Sequence, residues 1–120
     1  MILQATRGSA TINQPITLLW QYKENQIPND VFRVDRVDFF LESPLSNPAA
    51  IPFHSIRESD VFHVGTGLYQ YVLPPQSAES VVYDRVTFIK SEGALPITDL
   101  LSVYIHASSN TLVSYRTRVS

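Results

Sequence analysis

The sequence predicts an all-β fold of about seven strands, a β-sandwich or a barrel. Three observations carry that expectation. Alternation with period two recurs along the chain, and the 3.6-residue period of an amphipathic helix is almost absent. Proline and glycine clusters cut the apolar runs at short, regular intervals. The 120 residues, 44% of them hydrophobic, suit one domain spanning 1–120. A chain of this size buries roughly two-thirds of its unfolded surface, enough for one core without staples.

Taken in order, ITLLWQY places Ile16, Leu18, Trp20 and Tyr22 on one face of a strand. KENQIPND breaks it with Asn25, Pro28, Asn29 and Asp30, which favour turns. In VFRVDRVDFFLE, Asp35, Val37, Phe39 and Leu41 alternate with Arg36, Asp38, Phe40 and Glu42 as a long strand with one polar side. SPLSNPAAIP loses ladder donors at its prolines and reads as a loop or irregular edge, followed by FHSIR as a short strand. In GTGLYQYVLP, Gly65 and Gly67 suit positive φ or close backbone approach, so they shape a corner between two strands. Pro74 and Pro75 then stop the second of these. VVYDRVTFIK follows, with Val82, Val86 and Phe88 inward and Asp84 interrupting that face. After the breaker SEGALPITDL, with one helical turn expected near Ile97 to Leu101, come LSVYIHA and TLVSYRTRV. In the last strand Val113, Tyr115, Thr117 and Val119 alternate with Leu112, Ser114, Arg116 and Arg118, the polar side.

Composition excludes several chemistries. The chain has no cysteine, which removes disulfides, thiolate catalysis and thiolate zinc sites. A net charge of −2, with the basic residues dispersed, gives no reason to expect a nucleic-acid partner. No apolar run approaches the ~20 residues that cross a bilayer, and MILQATRGSATINQ lacks the pattern of a signal peptide. No membrane partner and no cofactor are expected.

No catalytic residue is assigned. His54, His63 and His106 match no metal-ligand spacing, so no metal site is expected, and no Gly-x-Ser-x-Gly elbow is present. Asp35 and Asp38 read as partners of Arg33 and Arg36, and Asp84 with Arg85 as a structural anchor. The aromatics exceed what one small core holds, so some belong to a protein interface. The candidates are Phe40, beside inward Phe39 and Leu41, and Tyr115, with Arg116 and Arg118 on the same terminal strand. An end strand either closes its own sheet or adds to a neighbour's edge. Residues 1–12 and 110–120 are therefore candidate assembly arms.

GLYQY resembles the tyrosine corner of immunoglobulin-like sandwiches, in which a hydroxyl ties back to backbone across a sheet end. That resemblance makes Tyr69 the corner tyrosine, with Gly65 and Gly67 shaping the corner. The chain also resembles small immunoglobulin-like proteins of tailed-bacteriophage virions. The matching stretches are PITLLW (15–20), FRVDRVDFF (32–40), GLYQY (67–71) and VVYDRVTFI (81–89). The resemblance implies a non-enzymatic structural or accessory virion subunit at the capsid surface (as capsid decoration), neck or tail. Such a subunit is made in the host cytoplasm, forms homo-oligomers and docks on other virion structural proteins. The alternative is a carbohydrate- or receptor-binding module whose surface tyrosines stack on sugar.

Overall fold

The computed structural model describes residues 3–5, 10–107 and 116–119. Among the described residues there are ten strands: β1 (Leu3–Ala5), β2 (Ile16–Glu24), β3 (Ile27–Pro28), β4 (Arg33–Phe40), β5 (His54–Arg57), β6 (Phe62–Gly65), β7 (Leu68–Leu73), β8 (Ser80–Ile89), β9 (Ile97–Ile105) and β10 (Arg116–Val119). They form two antiparallel sheets. The first runs β1-β2-β7-β6 with β3 on β2, and the second runs β10-β9-β8-β4-β5. The count exceeds seven because the rims add segments of two to four residues, such as β1, β3 and β10. The radius of gyration is 14.0 Å.

Alternation decides which side chains meet between the sheets. Ile16, Leu18, Trp20 and Tyr22 of β2 face Val37, Phe39, Val82, Val86 and Phe88 of the second sheet in one buried cluster. Tyr22 and Phe88 meet edge to face, their centroids 5.9 Å apart. The β2–β3 hairpin closes through Asn25 and Gln26, both at positive φ (50° and 69°), the twist that two-residue hairpin loops favour.

Three local expectations are corrected. A register shift between Val34 and Arg36 in β4 puts Val34 and Val37 both in the core, so strict alternation fails there. Leu41, expected inward, lies past the end of β4 and is exposed. The helical turn expected at Ile97–Leu101 is instead the start of β9, because Ile97 to Leu101 pair with Phe88 to Asp84 of β8. The β8 ladder takes up backbone groups that a single helical turn would leave open.

The two rims differ. At one, β1 and β10 come together. At the other, the chain leaves β5, edge of the second sheet, and passes through a 3-10 turn (Glu58–Asp60) into β6, edge of the first. That rim leaves two strand edges without ladder partners among the described residues.

Candidate functional site

A cavity of about 560 Å³ lies at this open rim between the start of β4, the 3-10 turn and the β6–β7 hairpin. Its walls carry Asp30, Phe32, Arg33, Glu58, His63 and Tyr69. Asp30 organises one side. Its Oδ1 accepts from the Gly67 N–H at 2.6 Å and lies 2.8 Å from His63 Nε2. The Gly67 amide, helped by His63, holds the Asp30 carboxyl below the usual aspartate range, against the opposing effect of burial. The His63 ring stacks on Tyr69 with centroids 4.9 Å apart.

Gly67 is the position where only glycine fits. Its φ is +66°, and a Cβ would stand 2.5 Å from the Tyr22 carbonyl oxygen and 2.6 Å from that of Asn29. The close approach lets Tyr22 donate its N–H to the Gly67 carbonyl at 2.8 Å. Gly65, expected to share the corner role, has ordinary φ and room for a Cβ, with Leu68 no nearer than 3.8 Å. The Tyr69 hydroxyl accepts from the Val31 N–H at 3.0 Å, tying β7 of one sheet to the entrance of β4 in the other. Burial pushes the Tyr69 phenol up.

Beside the cleft, all four residues of β6 are exposed, Phe62 at 62% and Val64 at 47%. Phe32 is 51% exposed at the cleft wall. None of the described tyrosines is exposed: Tyr22 and Tyr69 are buried, and Tyr71, Tyr83 and Tyr104 are half-buried. Among the described residues the exposed phenyl rings are those of Phe32, Phe53 and Phe62.

The interface residues expected from the sequence fare differently. Phe40 is buried at 1% exposure, with the Arg85 guanidinium 4.8 Å above its ring centroid, which corrects its placement on an open patch. Arg116 is not on the polar side of β10. Its side chain is 2% exposed and grips Asp84 with two bonds of 2.8 and 3.0 Å. The inward-facing carboxylate supplies the reason, since a buried charge needs a partner. Arg118 bonds Asp99 at 2.6 Å and stays partly exposed. Tyr115 lies outside the described residues, as do most of the candidate arms at 1–12 and 110–120. The anchor expected from Asp84 with Arg85 is split between two sites: Asp84 takes Arg116, and Arg85 takes Asp38.

Sequence reading missed the Asp30–His63 pair. The two lie 33 residues apart, Asp30 in the loop before β4 and His63 on β6, and Asp30 carried only a turn signal. His54 bonds the Tyr71 hydroxyl at 2.8 Å, and among the described residues no group of three potential ligands could hold a metal ion. Comparison with protein-family models, with curated proteins and with solved structures returned no match.

Proposed function

We propose that this chain is a non-enzymatic docking subunit of immunoglobulin-like type, acting by self-association and protein contact. By its likeness to small phage sandwich proteins, its setting is the surface, neck or tail of a tailed-phage virion. One observation carries the docking part: Phe62 and Val64 stand exposed on an edge strand that carries no lysine, arginine or proline to block it. Natural edges are usually blunted by such residues, because an open ladder invites another strand. A partner strand laid along β6 would gain backbone hydrogen bonds and cover both side chains.

Light scattering and sedimentation of the full chain over a wide concentration range test this reading. The expected result is a defined oligomer that Phe62→Asp weakens. A strict monomer that also fails to bind purified virions overturns it.

A second reading, a carbohydrate-binding module, draws on the cleft, whose volume falls in the range of small-molecule sites. Phe32 would supply the stacking face there, and Asp30 and Glu58 the hydroxyl acceptors. Of the described tyrosines, Tyr71, Tyr83 and Tyr104 are half-buried and Tyr22 and Tyr69 are buried. Glycan-array binding lost in Phe32→Ala would favour this reading over docking.

A further inference from the structure

The outer face of the second sheet carries a cationic cluster that the rim does not use. Cross-strand register sets it out in two rows. Ser55, Asp38 and Arg85 lie side by side, and Arg57, Arg36 and Thr87 form the next row on the same face. Asp38 is nearly fully buried. Its Oδ1 accepts from Ser55 Oγ and from Arg36 Nη2, each at 2.7 Å, and its Oδ2 accepts from Arg85 Nη2 at 3.2 Å. One sunken carboxylate thus orients two guanidinia that remain 37% and 40% exposed. Arg57 is also exposed and forms no ion pair among the described residues.

Arg36 and Arg57 stand directly opposite each other, with Cβ atoms roughly 5 Å apart at such a pairing. Like charges so placed disfavour the sheet, and local conflicts of this kind concentrate where a surface has work to do. An oxyanion between the two forks would relieve the repulsion, and the planar guanidinium suits a carboxylate. We propose that this face, Arg57, Arg36 and Arg85 over Asp38, takes an acidic segment of a partner protein. The inference rests on the docking reading and assigns it a charge-selective surface.

Two observations select that occupant. A second copy of this chain has few carboxylates to offer. Apart from Glu58 and Glu92, every aspartate and glutamate side chain is already hydrogen-bonded or ion-paired within its own copy. Nucleic acid is the poorer occupant, because the chain carries a net charge of −2 and three arginines make a small patch compared with the extended basic stripe that a phosphate backbone needs.

The test titrates the full chain with a hexaglutamate peptide at low salt, following heat or amide shifts, beside Arg57→Ala, Arg36→Ala and Phe62→Asp. The expected result is binding that weakens with salt and falls at least about tenfold in Arg57→Ala and Arg36→Ala. No binding, or equal binding by Arg57→Ala, overturns the proposal. So does tighter binding of a heparin oligosaccharide or a single-stranded oligonucleotide. Salt-sensitive self-association removed by Arg57→Ala also overturns it, because the face would then belong to a second copy. Phe62→Asp separates the two readings. Peptide binding with no effect of Phe62→Asp on association sinks edge docking alone, and the reverse pattern sinks only the cationic face.

Discussion

Two aspartates on neighbouring strands, both almost wholly buried, are handled in opposite ways. Asp84 points between the sheets, where Arg116 binds both its oxygens and the Trp20 indole N–H donates to it at 2.7 Å. All three of those side chains are closed off from water. Asp38 sinks into the outer face, yet Arg36 and Arg85, which hold it, reach back into solvent. The inner cluster therefore joins three strands, β2, β8 and β10, across both layers. The outer cluster leaves its positive ends available. The same ion-pair chemistry gives an anchor in one place and a receptive surface in the other, and burial of the arginine decides which.

The sharpest way to break that contrast is to empty the inner site by halves. Arg116→Met leaves Asp84 charged and enclosed, and the expected loss is about 3–5 kcal/mol by urea unfolding. Replacing both partners, Asp84→Leu with Arg116→Met, removes the stranded charge as well. Most of the stability should return, since a well-packed apolar pair often matches a buried ion pair. The Trp20 indole then loses its acceptor, which keeps the recovery incomplete. A single variant that unfolds like the parent would show that Asp84 is reached by water.

Legibility in the sequence follows the range of the interactions involved. The two-layer core was readable because Ile16, Leu18, Trp20 and Tyr22 announce their face locally through alternation. Gly67 was readable for a similar reason, since a backbone that must bend and admit another chain needs glycine. Gly65 shows the limit of that rule, because a glycine beside a turn need not be required there. The inner cluster was half legible. Asp84 stood out as a charge in an apolar row, but its partner Arg116 lies 32 residues away on a strand whose apolar pattern favoured the opposite facing. A short terminal strand with two arginines can present either side, and the buried carboxylate makes the choice. The rim cleft was illegible for the same reason, since the bond between Asp30 and His63 depends on where two sheets meet. Phe40 misled because its alternation is correct while the covering Arg85 comes from another strand.

A smaller effect is expected at the outer aspartate, and it carries a pH signature. Burial raises the Asp38 carboxyl, but bonds from Ser55, Arg36 and Arg85 outweigh it and hold the group below the usual aspartate range. The unfolded chain therefore binds this proton more readily than the folded one. The stability Asp38 contributes is fully present above the unfolded value of about 3.9 and is lost as pH falls through the lower folded value. Asp38→Asn should cost about 1 kcal/mol at neutral pH, the modest figure reflecting arginines that water can solvate. It should also flatten the decline of the urea midpoint below about pH 4. An unchanged acid slope would mean that Asp38 is not the group being titrated, and the outer cluster would lose its organising charge.

The smallest expected change is the one that best separates anchor from surface. Arg57→Ala removes a guanidinium that forms no ion pair among the described residues and stands opposite Arg36. If the face is free, stability should move by no more than about 0.5 kcal/mol, the span usual for surface positions. Its direction should be slightly upward at low salt, because the repulsion with Arg36 is relieved, and the gain should vanish as salt screens that repulsion. Urea midpoints at two ionic strengths read both features. A loss above about 1 kcal/mol would place Arg57 in a network like that of Arg116. The outer face would then be a second anchor, its arginines committed to the fold with none left to receive a partner.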